Sequence, residues 1–404
     1  MNMRILLLMI CLFPGILLAD ARQVDDFRWE GVERVVAVGD IHGDYGNYMA
    51  TLRAAGLVDE KGKWAGGDTH FVQVGDLPDR GPDTLKIIDH ITKLARQAKR
   101  QGGRVHSLIG NHEVMNVTGD LRYVHPGEYA AFANRRSAEL RDRYFDLFME
   151  RVEELDPEAF ARLPEDFRVK WEADHPLGWL EHRQAWDPQW NDEAEYADWV
   201  FDRKIAILIN DSVFVHGGIS PYFCGNSLED LTQRAVKLMK NYNPEAPGLL
   251  EDSNGPLWYR GLSGGEPEAS LESVQAILDQ HDARRIVVGH TPTLGVIWPR
   301  YDGRVVQIDT GISSYYGGYV AYLEITPEGV FAGYPDGKLP LPSEDGNRVE
   351  YLEQVIAMDA ENPNLQKRLK TITQPSAPDP EVSAEEGQEK AQEPAEPVPI
   401  CGTS

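Results

Sequence analysis

Three stretches in the first third of the chain set carboxylate, amide and imidazole side chains beside glycines: Gly39-Asp40-Ile41-His42-Gly43, Gly75-Asp76-Leu77-Pro78-Asp79-Arg80-Gly81 and Gly110-Asn111-His112-Glu113. Two more follow far downstream, His216-Gly217-Gly218 and Gly289-His290-Thr291-Pro292. Asp40 and His42, an acid and an imidazole two residues apart, are a candidate start of a metal site, and every other loop offers further oxygen or nitrogen ligands. Taken alone, the first pentapeptide reads equally as turn chemistry, since Asp and Gly are ordinary turn formers. Repetition is what argues for a site.

The elements that must position these side chains are five apolar runs, each ending where a polar loop begins. Arg34 to Val38 leads into Gly39, His70 to Val74 into Gly75, Val105 to Ile109 into Gly110, Val213 to Val215 into His216, and Arg285 to Val288 into Gly289. Short, β-branched runs of this kind read as buried strands, and open α/β folds keep their chemistry at the carboxyl ends of strands. Helical segments at Tyr45 to Ala55 and Pro82 to Arg100 separate the first three strands, the second with Pro where a missing N–H is tolerated. That alternation indicates a parallel α/β core. Turns at Asp302-Gly303 and Pro327-Glu328-Gly329 between alternating apolar runs make the second half antiparallel or mixed. The expected fold is α/β, with two packed mixed β-sheets flanked by helices.

In this combination and order the motifs resemble those of the calcineurin-like metallophosphoesterases, specifically the phosphoprotein phosphatase group. The likeness spans roughly Val32 to Tyr334. The extended forms Gly110-Asn111-His112-Glu113-Val114-Met115-Asn116 and Pro256-Leu257-Trp258-Tyr259-Arg260-Gly261, with the late Gly-His-Thr-Pro, are most similar to the bacterial Shewanella-like protein phosphatases. The resemblance implies Asp40, His42 and Asp76 as ligands of one metal, and Asp76, Asn111, His216 and His290 as ligands of a second. Only a carboxylate can bridge the two, and Asp76 is the candidate. Two ions about 3.5 to 4 Å apart can share a hydroxide that attacks phosphorus and can clamp the phosphoryl oxygens. The mixed N and O donor set suits divalent or trivalent Mn, Fe or Zn better than Ca.

His112 follows a ligand; in the resembling group this histidine protonates the leaving oxygen, oriented by the acid that matches Asp79. Arg80 and Arg260, with Asn111, are the expected phosphate contacts, because a guanidinium fork matches two phosphate oxygens. Arg260 has a second reading, a surface arginine on a packed turn. Tyr315 and Tyr316 either reach the pocket or pack at its rim. His70, His90, His106, His125, His175, His182 and His281 fall outside the motifs and are expected to be structural or solvated.

The chain has 404 residues and opens with Arg4, an apolar run from Ile5 to Leu18 and the small-x-small triplet Ala19-Asp20-Ala21. Such a run is shorter than the roughly 20 residues of a spanning helix, so residues 1–21 read as a cleaved export signal. The expected location is the periplasm of a Gram-negative cell, or otherwise outside the cell, with no later membrane span. Net charge is −25, which makes nucleic acid a poor partner. Residues 22–348 read as the phosphatase domain, with a helical insertion at 119–202 that breaks the motif series. It is either a stabilising cap or an overhang that selects substrate. Trp171, Trp179, Trp186, Trp190 and Trp199 give it an aromatic core of its own. Residues 349–373 form a possible C-terminal helix, and 374–404 an acidic Pro-, Glu- and Ala-rich tail that cannot bury enough surface to fold. Cys224 and Cys401, one in a loop and one near the chain end, could pair in an oxidising compartment, but free thiols are the first expectation.

The function these observations imply is a dinuclear-metal phosphatase acting on phosphate monoesters of phosphoproteins or small molecules. The stretch Thr310 to Gly318 departs from the Ser-Ala-Pro-Asn-Tyr element of eukaryotic Ser/Thr phosphatases, which leaves phosphotyrosine and small aryl or alkyl phosphates open beside phosphoserine. A dinucleoside polyphosphate hydrolase shares the motifs, and the alternative of another class is a metal-binding fold without turnover.

Overall fold

A computed structural model describes residues 22–374 and Cys401. The expected signal segment and nearly all of the acidic tail lie outside the described residues. Within them, two mixed sheets pack face to face. In the six-stranded sheet, Val35–Val38 pairs in parallel with His70–Gln73, and that strand in parallel with Arg104–Ser107. On its other side Val35–Val38 runs antiparallel to Tyr322–Thr326, which continues into Gly329–Tyr334 and Gly337–Pro340. In the seven-stranded sheet Ser212–Val215 lies between Ala206–Ile209, antiparallel, and Arg285–Val288, parallel.

Alternation along the strands explains the layers. Val35, Ala37 and Val72 from one sheet meet Ile207, Phe214 and Val287 from the other in a core between the sheets. Their neighbours Val36, Val38, Phe71, Leu208 and Val215 face outward and are covered by helices that bring Leu52, Ile91, Leu231 and Ala235. Because side chains alternate with period two and both faces are buried, these strands read as continuous apolar runs rather than as alternating ones. Helix Tyr45–Ala54 is capped by Asp44, whose carboxylate accepts the Asn47 N–H, and Thr84–Arg100 and Leu228–Lys240 complete the outer layers. Residues 349–373 hold two helices, Arg348–Met358 and Pro363–Thr373, separated at Asn362-Pro363. Tyr351, Leu352, Val355 and Leu365 are buried in the core between the sheets, so this segment is part of the domain itself.

Between the third motif and the second sheet the chain forms six helices, from Pro126–Phe132 to Glu195–Phe201. The tryptophans divide here, contrary to the expectation of one separate aromatic core. Trp171, Trp179 and Trp190 gather around Tyr144. Trp186 is fully buried in the main core, stacked on Tyr196, and Trp199 packs against the same core. The free-thiol expectation is overturned: Cys224 and Cys401 form a disulfide with a Cα–Cα distance of 5.7 Å. A sequence separation of 177 residues carries no information about distance, and only the folded chain brings the two together. Among the described residues no helix is long and apolar enough to cross a membrane.

Candidate active site

Four of the five motif loops line a cavity of about 220 Å³, and His216 of the fifth stands just behind it against Asp76 and Asn111. Glycines make the approach possible. A Cβ on Gly43 would come within 2.4 Å of the Gly81 carbonyl, and one on Gly110 would strike the Asp76 carboxylate at 2.1 Å. His42, Asp76, Asp79, Arg80 and His290 all have φ between 46° and 71°. Left-handed backbone at non-glycine residues costs energy and persists where the surroundings over-determine it, which is common at functional sites.

Asp76 stands at the centre. Its Oδ2 lies 3.8 Å from His42 Nε2 and 3.3 Å from His216 Nε2. His216 Nε2 is also 2.8 Å from Asn111 Oδ1 and 3.1 Å from His290 Nδ1. On the other side, His42 Nε2 is 4.0 Å from Asp40 Oδ2. The structure thus brings together all six residues expected as metal ligands. Outer contacts aim the imidazoles: His42 Nδ1 meets the Pro78 carbonyl and His216 Nδ1 the Val74 carbonyl, each at 3.1 Å, which turns both Nε2 atoms inward. Two groups of three buried ligand atoms result, His42/Asp76/His112 and Asp76/His216/His290.

The electrostatics call for a cation. Burial, with Asp309 and Asp76 adding repulsion, pushes Asp40 well above the usual carboxylate range, and burial lifts Asp309 to about 6. Burial also opposes ionisation of Asp76, yet the His216 and His112 imidazoles hold its carboxyl well below that range. His290 Nε2 is buried with no hydrogen-bond partner. A cluster of buried carboxylates and inward-facing imidazole nitrogens is a fit for metal ions, which would neutralise the first and take lone pairs from the second.

His112 Nδ1 is 2.5 Å from Asp79 Oδ2, and Asn116 donates to the other oxygen of Asp79 at 3.0 Å. Nδ1 is therefore committed, and Nε2 faces the cavity 3.9 Å from Asp76. The sequence separates His112 from the ligand set, whereas the folded chain stands it beside that set. Arg80 lies between two tyrosines, its guanidinium 3.9 Å from the Tyr123 ring centre and 4.7 Å from that of Tyr315, whose hydroxyl accepts from it at 2.9 Å. Arg260 lines the same cavity and donates to the His290 carbonyl at 3.0 Å. Tyr316 also lines it, its ring centre 5.5 Å from that of His42, while Tyr315 is 59 % exposed at the rim. None of the seven non-motif histidines lines this cavity.

Sequence reasoning passed over several residues the site depends on. Glu113 accepts the N–H groups of Asp76, Leu77 and Gly110 at 2.8 to 2.9 Å and so fixes two motif loops against each other. Burial, then the Asp76 charge, raises its pKa to about 7. Asp309 lines the cavity just beyond strand Val305–Gln307. Its signal was available, an acid at the end of an apolar run like the others, but no motif marked it. Tyr123 and Glu128 carry no sequence signal at all.

The chain matches the family model described as calcineurin-like phosphoesterase over residues 33–294. It belongs to that family. This phosphoesterase is 32 % identical over 311 residues to an uncharacterized protein of Schizosaccharomyces pombe, covering 72 % of this chain and 77 % of that one. It is 29 % identical to Shewanella-like protein phosphatase 2 of Arabidopsis thaliana over 71 % and 73 % of the two chains. The solved cold-active protein-tyrosine phosphatase of a psychrophilic Shewanella species superposes with a TM-score of 0.57 at 27 % identity, covering 79 % of this chain and 83 % of that one. The enzyme is a hydrolase, a phosphatase of a metal-dependent family, on a scaffold of two mixed sheets flanked by helices.

Proposed function

We propose that this phosphatase is exported, holds two transition metal ions (Mn, Fe or Zn), and hydrolyses phosphate monoesters of phosphoproteins. The observation that carries the reading is one cavity lined by Asp40, His42, Asp76, Arg80, Asn111, His112 and His290, with His216 behind it against Asp76 and Asn111 and Asp79 holding His112. Asp40, His42 and Asp76 would hold one ion and Asp76, Asn111, His216 and His290 the other, with Asp76 shared. Ions bound there supply charge neutralisation and an acidified water. The remaining work falls to the chain. Arg80, pinned by Tyr123 and Tyr315, and Arg260 orient the phosphoryl oxygens. As the bond between phosphorus and the ester oxygen breaks, that oxygen takes a proton from His112 Nε2, while Asp79 on Nδ1 keeps the imidazole oriented and favours its charged form.

A macromolecular substrate is supported by the open mouth of the cavity, with Tyr315 exposed at its rim, and by relatives named protein phosphatases. The aromatic surroundings, Tyr123, Trp258 and Tyr316, give an aryl ester flat surfaces to lie against, so phosphotyrosine belongs in the substrate range. Export is supported by the leader-like residues 1–21 and by the Cys224–Cys401 disulfide, a bond that persists in oxidising compartments. The test is a panel on metal-loaded protein lacking residues 1–21: phosphoserine, phosphothreonine and phosphotyrosine peptides, p-nitrophenyl phosphate and diadenosine tetraphosphate. Turnover of the peptides above the dinucleotide supports the reading; the reverse order assigns the enzyme to polyphosphate esters, and no turnover of any ester with metals bound leaves a binding protein.

A further inference from the structure

Asp79 and Arg80, the partner of the acid and a phosphate contact, sit side by side on left-handed backbone, with φ of 71° and 64°. Two consecutive residues in that region do not hold themselves. Their support comes from the segment that begins the helical insertion. The Arg80 N–H is donated to the Tyr123 carbonyl at 3.0 Å, and the Asp79 N–H to Glu128 Oε1 at 2.8 Å. Glu128 lies on helix Pro126–Phe132 and is 1 % exposed. Its Oε1 accepts a second bond from the Thr84 hydroxyl at 2.5 Å, which ties it to the start of helix Thr84–Arg100. Oε2 has no partner, and His182 Nε2 from helix Trp179–Trp186 stands 3.9 Å from it.

A carboxyl buried so completely, with half its hydrogen-bonding capacity unused, costs stability that an apolar residue here would not. Packing alone does not account for its presence. What Glu128 does is end a relay: its Oε1 fixes the Asp79 backbone, the Asp79 side chain fixes His112, and His112 Nε2 faces the cavity.

We propose that Glu128 is a positioning residue for phosphate ester hydrolysis, setting the Asp79–Arg80 turn and through it the aim of His112. The insertion is then neither a plain cap nor an overhang over the substrate; one of its helices holds the catalytic turn from behind. This rests on His112 being the proton donor. What matters is the position of an acceptor oxygen, not a negative charge: burial and the nearby Asp79 charge raise the Glu128 carboxyl well above its usual range, and a neutral carboxyl still accepts through Oε1.

Glu128→Gln and Glu128→Asp separate position from charge. Gln keeps an acceptor oxygen at the same reach and cannot ionise; Asp keeps the carboxyl and withdraws the oxygen by one methylene. A displacement of about 1 Å in catalytic geometry can cost about 100-fold. With metal-loaded protein, Glu128→Asp is expected to lower kcat on a phosphoserine peptide by about 10- to 100-fold with little change in KM or metal content. The loss on p-nitrophenyl phosphate should be smaller. Glu128→Gln should recover most of that loss. Glu128→Met, of similar length with no acceptor oxygen, takes the place of Glu128→Asp if the latter does not fold. A merely structural role would lower the melting temperature and leave kcat within about twofold well below it; that result, or Gln as damaging as Asp, overturns the proposal.

A double-mutant cycle with Asp79→Asn keeps the two readings apart. If Glu128 acts through Asp79, the losses fall short of adding, whatever role His112 has. Additive losses overturn the relay. Sub-additive losses without leaving-group dependence keep Glu128 as the support of Asp79 and instead refute the proton-donor role of His112.

Discussion

Replacing His112 by Asn removes an imidazole that lines the cavity and is hydrogen-bonded to the buried Asp79 carboxylate, and the size of the loss should follow the leaving group. In the structure Nδ1 is taken by Asp79 at 2.5 Å, so Nε2 alone can serve the substrate. Burial works against a charged ring here, but the Asp76 charge and the Asp79 hydrogen bond outweigh it and hold the His112 pKa at about 9. Both act in the direction of a protonated ring, the state an acid needs. Metal ions on Asp76 would offset part of that charge and leave the Asp79 bond as the standing support. A positioned general acid contributes about 10²- to 10⁴-fold, or about 3 to 5.5 kcal/mol of barrier. That contribution is realised only when the departing oxygen needs a proton. A serine alkoxide needs one badly; a tyrosine phenolate, with a pKa of about 10, needs one less. A nitrophenolate barely needs one. On metal-loaded protein His112→Asn should therefore lose about 10²- to 10⁴-fold in kcat on a phosphoserine peptide, less on a phosphotyrosine peptide and only a small factor on p-nitrophenyl phosphate. Elemental analysis should show metal content near wild type. Asp79→Asn should repeat the order more mildly, since it disturbs the acid's orientation and leaves the acid in place. One common factor on all three substrates with metal retained would refute the reasoning and make His112 a binder of phosphate.

Asp76→Asn should abolish turnover and lower bound metal by more than one ion's share, because Asp76 faces both groups of candidate ligands; two full equivalents by elemental analysis would show that it does not bridge. His182, on the insertion, is lowered to about 3 by burial and then by Arg183, so an unfolded chain gains a proton below about 6.5 that the folded chain refuses. Its contribution is thus complete above pH 6.5 and lost as pH falls toward 3, at about 1.4 kcal/mol per unit. The difference in melting temperature between wild type and His182→Phe should therefore change across that window, and parallel curves from pH 7 to pH 4 would count against it. Thiol titration in denaturant should find no free thiol in oxidised protein lacking residues 1–21 and two after reduction, as the Cys224–Cys401 bond requires; two before reduction would mean the bond does not form.

By itself the sequence marked the motif loops and much of the frame. Asp40, His42, Asp76, Asn111, His216 and His290 were singled out through the order of the motifs and their resemblance to those of the metallophosphoesterases, and the glycines beside them record how closely the loops approach. The strands that carry them were legible too, since burial on both faces forces short β-branched runs. Other decisions belonged to the tertiary structure. Glu128 acts by accepting the Asp79 N–H and Tyr123 by its carbonyl and its ring against Arg80, and a residue that serves another segment in this way leaves no local pattern; Glu113 stands in a motif, but its bonds to the Asp76 and Leu77 N–H groups appear only in the fold. The same holds for Cys224 and Cys401, whose bond depends on where the chain end comes to lie. The five tryptophans of the insertion looked like one core because sequence gives proximity only along the chain; the fold assigned two of them to the main core. Residue type could tell what a side chain is able to do, but which partner it does it with was set by long-range packing.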